Sequence, residues 1–68
     1  MIPVKSSNIA EIGHDPSTNT MRVKFHGGAT YEYSGVSAEK HQALIGAQSI
    51  GSHFTRHIRP HHEFRKVA

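Results

Sequence analysis

The chain has 68 residues, which is enough for one domain with a small hydrophobic core. It contains no cysteine, so disulfide bonds and zinc sites built on thiolates are excluded. No apolar run approaches the roughly 18 residues of a membrane-spanning helix, and the first residues lack the apolar stretch of a signal peptide. We therefore expect one cytoplasmic domain over residues 1–68, with no membrane contact and no cofactor.

The net charge of +3 is concentrated at the C-terminal end. Residues 1–48 contain four basic and four acidic side chains, whereas residues 49–68 contain four basic side chains and only Glu63 as an acid. Excess positive charge attracts polyanions, so a nucleic acid, if one is the partner, is expected at this end. Residues 60–68 are interpreted as a basic tail, and the sequence leaves open whether this tail is ordered.

The first predicted element is a strand at residues 9–14. One of its faces carries a set of three alternating side chains: Ala10, Ile12 and His14. Ile9 falls on the opposite face, so the two-residue alternation is imperfect. Residues 15–19 are rich in Asp, Pro, Ser and Asn, which favour a turn after this strand.

The clearest alternation spans residues 20–33 and predicts two strands joined by a three-residue loop, 26–28. A two-residue loop would place Phe25 opposite Thr30 and so mix the core face with the solvent face. The three-residue loop keeps apolar side chains opposite one another. It predicts four cross-strand pairs: Phe25–Ala29, Val23–Tyr31 and Met21–Tyr33 on the core side, and Arg22–Glu32 on the solvent side.

Two helices are predicted after residue 35. Ser37 is a good N-cap for a helix from about 38 to 47, and Ser49 is a good N-cap for a second helix. In the second helix apolar side chains recur at every fourth position: Ile50, Phe54 and Ile58. Pro60 disfavours helical geometry at the residue before it and ends this helix. The predicted fold class is α+β, with a small three-stranded antiparallel β-meander followed by two helices packed on one face.

Short motifs follow one another over residues 4–59: Ser6-Ser7-Asn8-Ile9, Ile12-Gly13, Val23-x-Phe25, Gly28, Tyr31-x-Tyr33, Val36 and Ala47-x-Ser49-x-Gly51-x-x-Phe54-x-x-x-Ile58-Arg59. This ordered set resembles the KTSC domain, a family named for the C-terminus of some lysyl-tRNA synthetases that also forms short bacterial and phage proteins. The resemblance implies a compact α+β module without an established catalytic activity. Its link to a synthetase suggests RNA binding.

Three histidines stand where that family carries an aromatic residue, often tyrosine: His14, His41 and His53. They are therefore expected to act as packed rings. The chain also has Ser37 in place of a frequent proline and Thr55 in place of a frequent asparagine.

Seven histidines in the chain raise the question of a metal site. His53 and His57 are four residues apart on the predicted second helix, so they share a face, and His61 and His62 follow closely. No acidic side chain lies in that helix to complete or orient such a site. We predict no metal site, but the sequence leaves open whether these four histidines bind a metal.

No motif indicates an enzyme, because neither a nucleophile elbow nor a phosphate-binding glycine loop is present. The chain is interpreted as a non-enzymatic binding module whose first expected partner is nucleic acid, RNA before DNA. Arginine binds phosphate well and an aromatic ring can stack on a base. The residues expected to make these contacts are Arg56, Arg59, Arg65, Lys66 and Phe64.

Other interpretations of the basic end stay open. The cations can also form a solvated helix end, with Phe64 folded back onto the core. The alternative function is a protein-interaction factor, for example a phage protein that binds a host enzyme. The sequence leaves the partner's identity and the oligomeric state undetermined.

Overall fold

Five strands form one antiparallel sheet in the computed structural model, which describes residues 1–68. The strands adjoin one another in chain order: β1 (Ile2–Pro3), β2 (Ile9–Asp15), β3 (Thr20–Phe25), β4 (Thr30–Tyr33) and β5 (Phe64–Lys66). The helical part consists of α1 (Ala38–Ile45) and α2 (Ile50–His53), which continues as a π-helical segment (Phe54–Ile58). No helix is both long enough and apolar enough to cross a membrane.

The α+β class is confirmed, but the prediction of three strands is wrong, because β1 and β5 extend the meander at its two edges. β1 has only two residues, too few to show an alternation. All three residues of β5 are exposed, so no buried face marks that strand in the sequence. Residues 60–68, interpreted as a basic tail, therefore contain an edge strand.

The β3–β4 hairpin has the predicted register. Val23 lies opposite Tyr31, and Arg22 lies opposite Glu32. The Phe25 N–H donates to the Ala29 carbonyl at 2.9 Å, which closes the predicted three-residue loop. Alternation of core and solvent faces was therefore sufficient to fix this pairing.

A β-bulge in β2 corrects the predicted arrangement of that strand. Ile9 lies opposite Phe25 and Glu11 lies opposite Lys24, so Ala10 is the extra residue. The bulge turns Ile9 onto the same face as Ile12, and both side chains are fully buried. The prediction that Ile9 faces away from Ile12 is therefore wrong.

Both predicted helix caps are confirmed. The Ser37 hydroxyl accepts the backbone N–H of Lys40 at 3.2 Å, and the Ser49 hydroxyl accepts that of Ser52 at 3.4 Å. α1 ends at Ile45, slightly before the predicted boundary.

After His53, the second helix continues with a helical geometry that the sequence pattern did not predict. The Arg59 N–H donates to the Phe54 carbonyl, five residues earlier, at 3.0 Å. This is the hydrogen bond of a π-helix, in which each turn holds an extra residue. An apolar residue at every fourth position does not distinguish this geometry from an α-helix. Pro60, which follows, has no N–H with which to continue either ladder.

Nine apolar side chains form the core: Ile9, Ile12, Met21, Val23, Tyr33, Val36, Leu44, Phe54 and Ile58. They come from β2–β4, from the loop before α1 and from both helical parts, so the helices cover one face of the sheet. The opposite face carries the Arg22–Glu32 pair.

Candidate nucleic-acid interface

The five side chains expected to bind nucleic acid do not share one surface. In β5 the side chains alternate, so Phe64 and Lys66 lie on the helix side of the sheet while Arg65 lies on the other. Arg65 pairs there with Glu32, with 3.1 Å between Nη2 and Oε1. Four of the five residues therefore stay on or beside the helix side, and Arg65 is separated from them.

Glu32 joins three strands through two ion pairs. Its Oε2 lies 3.1 Å from Nε of Arg22, and its other oxygen accepts from Arg65. These hydrogen bonds, first from Arg22 and then from Arg65, hold the pKa of the Glu32 carboxyl below its usual range. The charge of Arg65 is thus partly neutralised within the protein.

An aromatic groove lies on the helix side, at the edge of the sheet. It has a volume of about 340 Å³ and is lined by five aromatic rings and three further side chains: Phe25, Tyr31, Tyr33, Phe54, Phe64, Asn8, Thr55 and Arg59. We call this set the aromatic groove. Phe64 packs against Tyr31 and Tyr33, with ring centroids 5.8 and 5.6 Å apart. The residue as a whole is nevertheless 56% exposed.

The tyrosines of the groove differ in exposure. Tyr31 lies on the core side of the sheet, as predicted, and packs against the core, but it is half-buried and also lines the groove. Tyr33 is buried, which raises the pKa of its hydroxyl, while the neighbouring charge of Arg59 acts in the opposite direction. Phe64 is thus the groove ring best placed to meet a ligand, because it is exposed whereas Tyr31 and Phe25 are half-buried.

Free positive charge surrounds the groove. Arg59 lines it, and Lys66 lies opposite Tyr31 on the same side of the sheet as Phe64. Arg56 is exposed on the π-helical segment. Both ion pairs of the protein use Glu32, so Arg56, Arg59 and Lys66 have no acidic partner.

The C-terminal histidines do not converge on a metal site. The rings of His53 and His57 lie 4.5 Å apart, as expected for two residues on one helix face. His62 is engaged elsewhere: its Nδ1 lies 2.9 Å from the Ser34 carbonyl, and its Nε2 lies 3.2 Å from Lys40 Nζ. No three metal-ligating side chains come together anywhere in the chain.

The three histidines at aromatic positions are all half-buried, in agreement with packed rings. His14 stacks on His41 with ring centroids 4.9 Å apart, and His14 Nε2 lies 2.6 Å from the Val36 carbonyl. Nδ1 of His41 is buried without a hydrogen-bond partner. Burial, together with the charge of His14, lowers the pKa of His41.

Comparison with known proteins places this fold in a family. The KTSC domain model matches residues 5–64. The crystal structure of the KTSC domain protein YPO2434 from Yersinia pestis is similar with a TM-score of 0.90 and 37% sequence identity, covering 97% of this chain and 93% of that one.

Two bacterial proteins are also similar over most of their length. An uncharacterised protein of Stutzerimonas stutzeri strain A1501 is 38% identical over 61 residues, which is 90% of this chain and 86% of that protein. A protein of Tsukamurella paurometabola is 40% identical over 68 residues, which is 100% of this chain and 98% of that protein. The match of the domain model and of these relatives extends over nearly the whole chain, which therefore belongs to the KTSC domain family.

Proposed function

We propose that the protein is a non-enzymatic module that binds single-stranded RNA, with little sequence preference, through the aromatic groove. The observation that carries this proposal is the position of Phe64. The residue is 56% exposed, yet its ring packs against Tyr31 and Tyr33 and lines the same groove as Arg59.

The first interaction is stacking of a base on the exposed face of Phe64. Contacts with the two tyrosines restrict the ring, so binding a base costs little additional side-chain entropy. Stacking of this kind contributes about 1–3 kcal/mol per base and accepts any base, since every base has a π-face. Single-stranded RNA offers such unstacked bases, so we expect it to bind more tightly than a duplex.

The second interaction is between phosphates and the free cations. Arg59 and Lys66 flank Phe64, and Arg56 lies nearby on the π-helical segment. Three phosphate contacts would give a slope of about −2 for log affinity against log salt on a single strand. A count of all four C-terminal cations would give about −3, but Arg65 is engaged by Glu32.

Fluorescence anisotropy with a labelled oligouridylate tests the stacking. Phe64→Leu keeps an apolar side chain but removes the aromatic face. We expect it to weaken binding by roughly 5- to 150-fold, the equivalent of one lost base stack. An unchanged affinity would contradict the role given to Phe64.

The phosphate contacts are tested with Arg59→Gln combined with Lys66→Gln. The double variant should weaken binding evenly across sequences and flatten the salt slope by about 1.4. Arg65→Gln is the matched control, because it removes a charge from the same strand on the opposite face of the sheet. A control that loses as much per charge as the double variant would show that only net charge matters.

The alternative, a protein-interaction factor, is the other outcome of these experiments. Dissociation constants weaker than about 10⁻⁴ M for both RNA and DNA at low salt would leave a protein partner as the better interpretation. The open edge of β5 would then be the first place to search, since an unpaired edge strand can pair with another chain.

A further inference from the structure

A second recess adjoins the aromatic groove, between the segment before β2 and the beginning of α2. It has a volume of about 460 Å³, and ten of its eleven lining residues are not hydrophobic. We call it the polar pocket. Asn8 and Thr55 line both the polar pocket and the aromatic groove, so the two are continuous.

Close contact between two distant segments forms this pocket. A Cβ atom on Gly51 would lie 2.9 Å from Oδ1 of Asn8 and 3.3 Å from Oγ of Ser6, so a larger residue here would displace these two side chains. The motifs Ser6-Ser7-Asn8 and Ser49-x-Gly51, which are far apart in sequence, therefore meet here.

Hydrogen bonds fix the polar groups of the pocket. The Ser6 hydroxyl donates to Oδ1 of Asn8 at 3.0 Å, and the Asn8 side chain also carries an amide NH₂ group that can donate. The Thr55 hydroxyl donates to the Gly51 carbonyl at 2.9 Å. Further hydroxyl groups come from Ser7, Ser49 and Ser52.

The charge of the pocket is positive. Lys5 and Arg56 line it, no acidic side chain does, and neither cation takes part in an ion pair. Two cations beside amide and hydroxyl donors are suited to an anion with several oxygen acceptors, of which phosphate is the one that RNA supplies.

We propose that the polar pocket binds one backbone phosphate of the RNA strand whose base stacks on Phe64. This inference rests on the proposed function, and it defines the course of the RNA strand over the protein surface. The strand runs from Lys66 and Phe64 past Arg59, and then over Asn8 and Thr55 to the phosphate held by Lys5 and Arg56. The pocket thereby contributes the part of the site that is nearest to the N-terminus in sequence.

The test compares two double variants in oligouridylate binding. Lys5→Gln with Arg56→Gln removes both cations of the pocket. Lys24→Gln with Lys40→Gln removes the same charge from positions that do not line it. The pocket variant should bind RNA at least tenfold more weakly than the control variant, and its salt slope should be flatter by about 0.7, the value for one phosphate. Thermal melting of both proteins verifies that they are folded.

Nuclear magnetic resonance supplies a second readout with inorganic phosphate as the probe. Phosphate should shift the backbone amide signals of residues 6–8 and 49–52 in the wild-type protein but not in the pocket variant.

The outcomes separate this inference from the proposed function. If the pocket variant binds RNA like its control while Phe64→Leu still weakens binding, the pocket assignment is wrong and the groove assignment stands. Phosphate-induced shifts that persist in the pocket variant would also overturn the pocket assignment. If the wild-type protein binds no RNA, both are wrong.

Discussion

His41 has an environment that couples folding to pH. Its ring stacks on His14, and its Nδ1 is buried without a partner. A protonated imidazole in this position would be poorly solvated and would face a second histidine. A tyrosine or phenylalanine, the residue type that the family resemblance implies here, would not titrate in this range.

We predict that the free energy of unfolding falls as the pH decreases below about 6.5. The pKa of His41 is lowered in the folded state, so the unfolded chain binds this proton first. The stabilisation is therefore complete above the unfolded value and is lost as the pH falls through the folded value. Melting temperatures between pH 7.5 and pH 5 measure it.

The matched variants for this prediction are His41→Phe and His61→Gln. The first should remove most of the loss of stability at pH 5, whereas the second changes an exposed histidine and should retain it. A wild-type melting temperature that is constant over this range would exclude the effect. Keeping the pH at 5 or above avoids the titration of Asp15 and Glu32, whose pKa values are lowered below their usual values.

The individual elements show which signals in a sequence are sufficient to predict structure. Alternation predicted the β3–β4 register correctly, because a shift by one residue would have exposed the core face. The bulge at Ala10 was not predicted, since it depends on both Ile9 and Ile12 packing against the same core. β5 was missed because a short, exposed edge strand is stabilised by its pairing with β4 rather than by a buried face of its own.

The β3–β4 loop offers a test at the level of one element. Gly28 has a φ of +101°, a conformation that residues with a side chain rarely adopt, whereas Gly27 has a negative φ and open space around it. Gly28→Ala should therefore destabilise the protein by about 1–3 kcal/mol. Gly27→Ala should change stability by no more than about 0.5 kcal/mol. Urea denaturation of both variants measures the difference, and equal stabilities would contradict the loop conformation.

At the scale of the whole molecule, the sequence predicted part of the candidate site and not its arrangement. The excess of positive charge near the C-terminus pointed to Arg59, Lys66 and Phe64, which do lie together beside the groove. Arg65 is separated from them, because side chains alternate between the two faces of the sheet along β5. This separation could not be predicted from the sequence, since β5 itself was not predicted. Lys5 was not among the sequence candidates, because the fold, and not the sequence, brings it to the same pocket as Arg56.

The surface of the molecule is therefore asymmetric. One side of the sheet carries an ion-paired set, Arg22, Glu32 and Arg65, in which one carboxylate partly neutralises two arginines. The other side has an exposed aromatic ring and uncompensated cations around a continuous groove and pocket. This asymmetry supports the proposal that RNA binds to the helix side.

The salt dependence of oligouridylate binding by the wild-type protein tests this assignment most directly. We expect a dissociation constant between about 10⁻⁴ and 10⁻⁶ M near physiological salt, and a slope of about −2 for log affinity against log salt. A single-stranded DNA of equal length, measured in parallel, shows how much the 2′-hydroxyl contributes. Binding weaker than about 10⁻⁴ M to both strands at 50 mM salt would contradict RNA binding by the helix side.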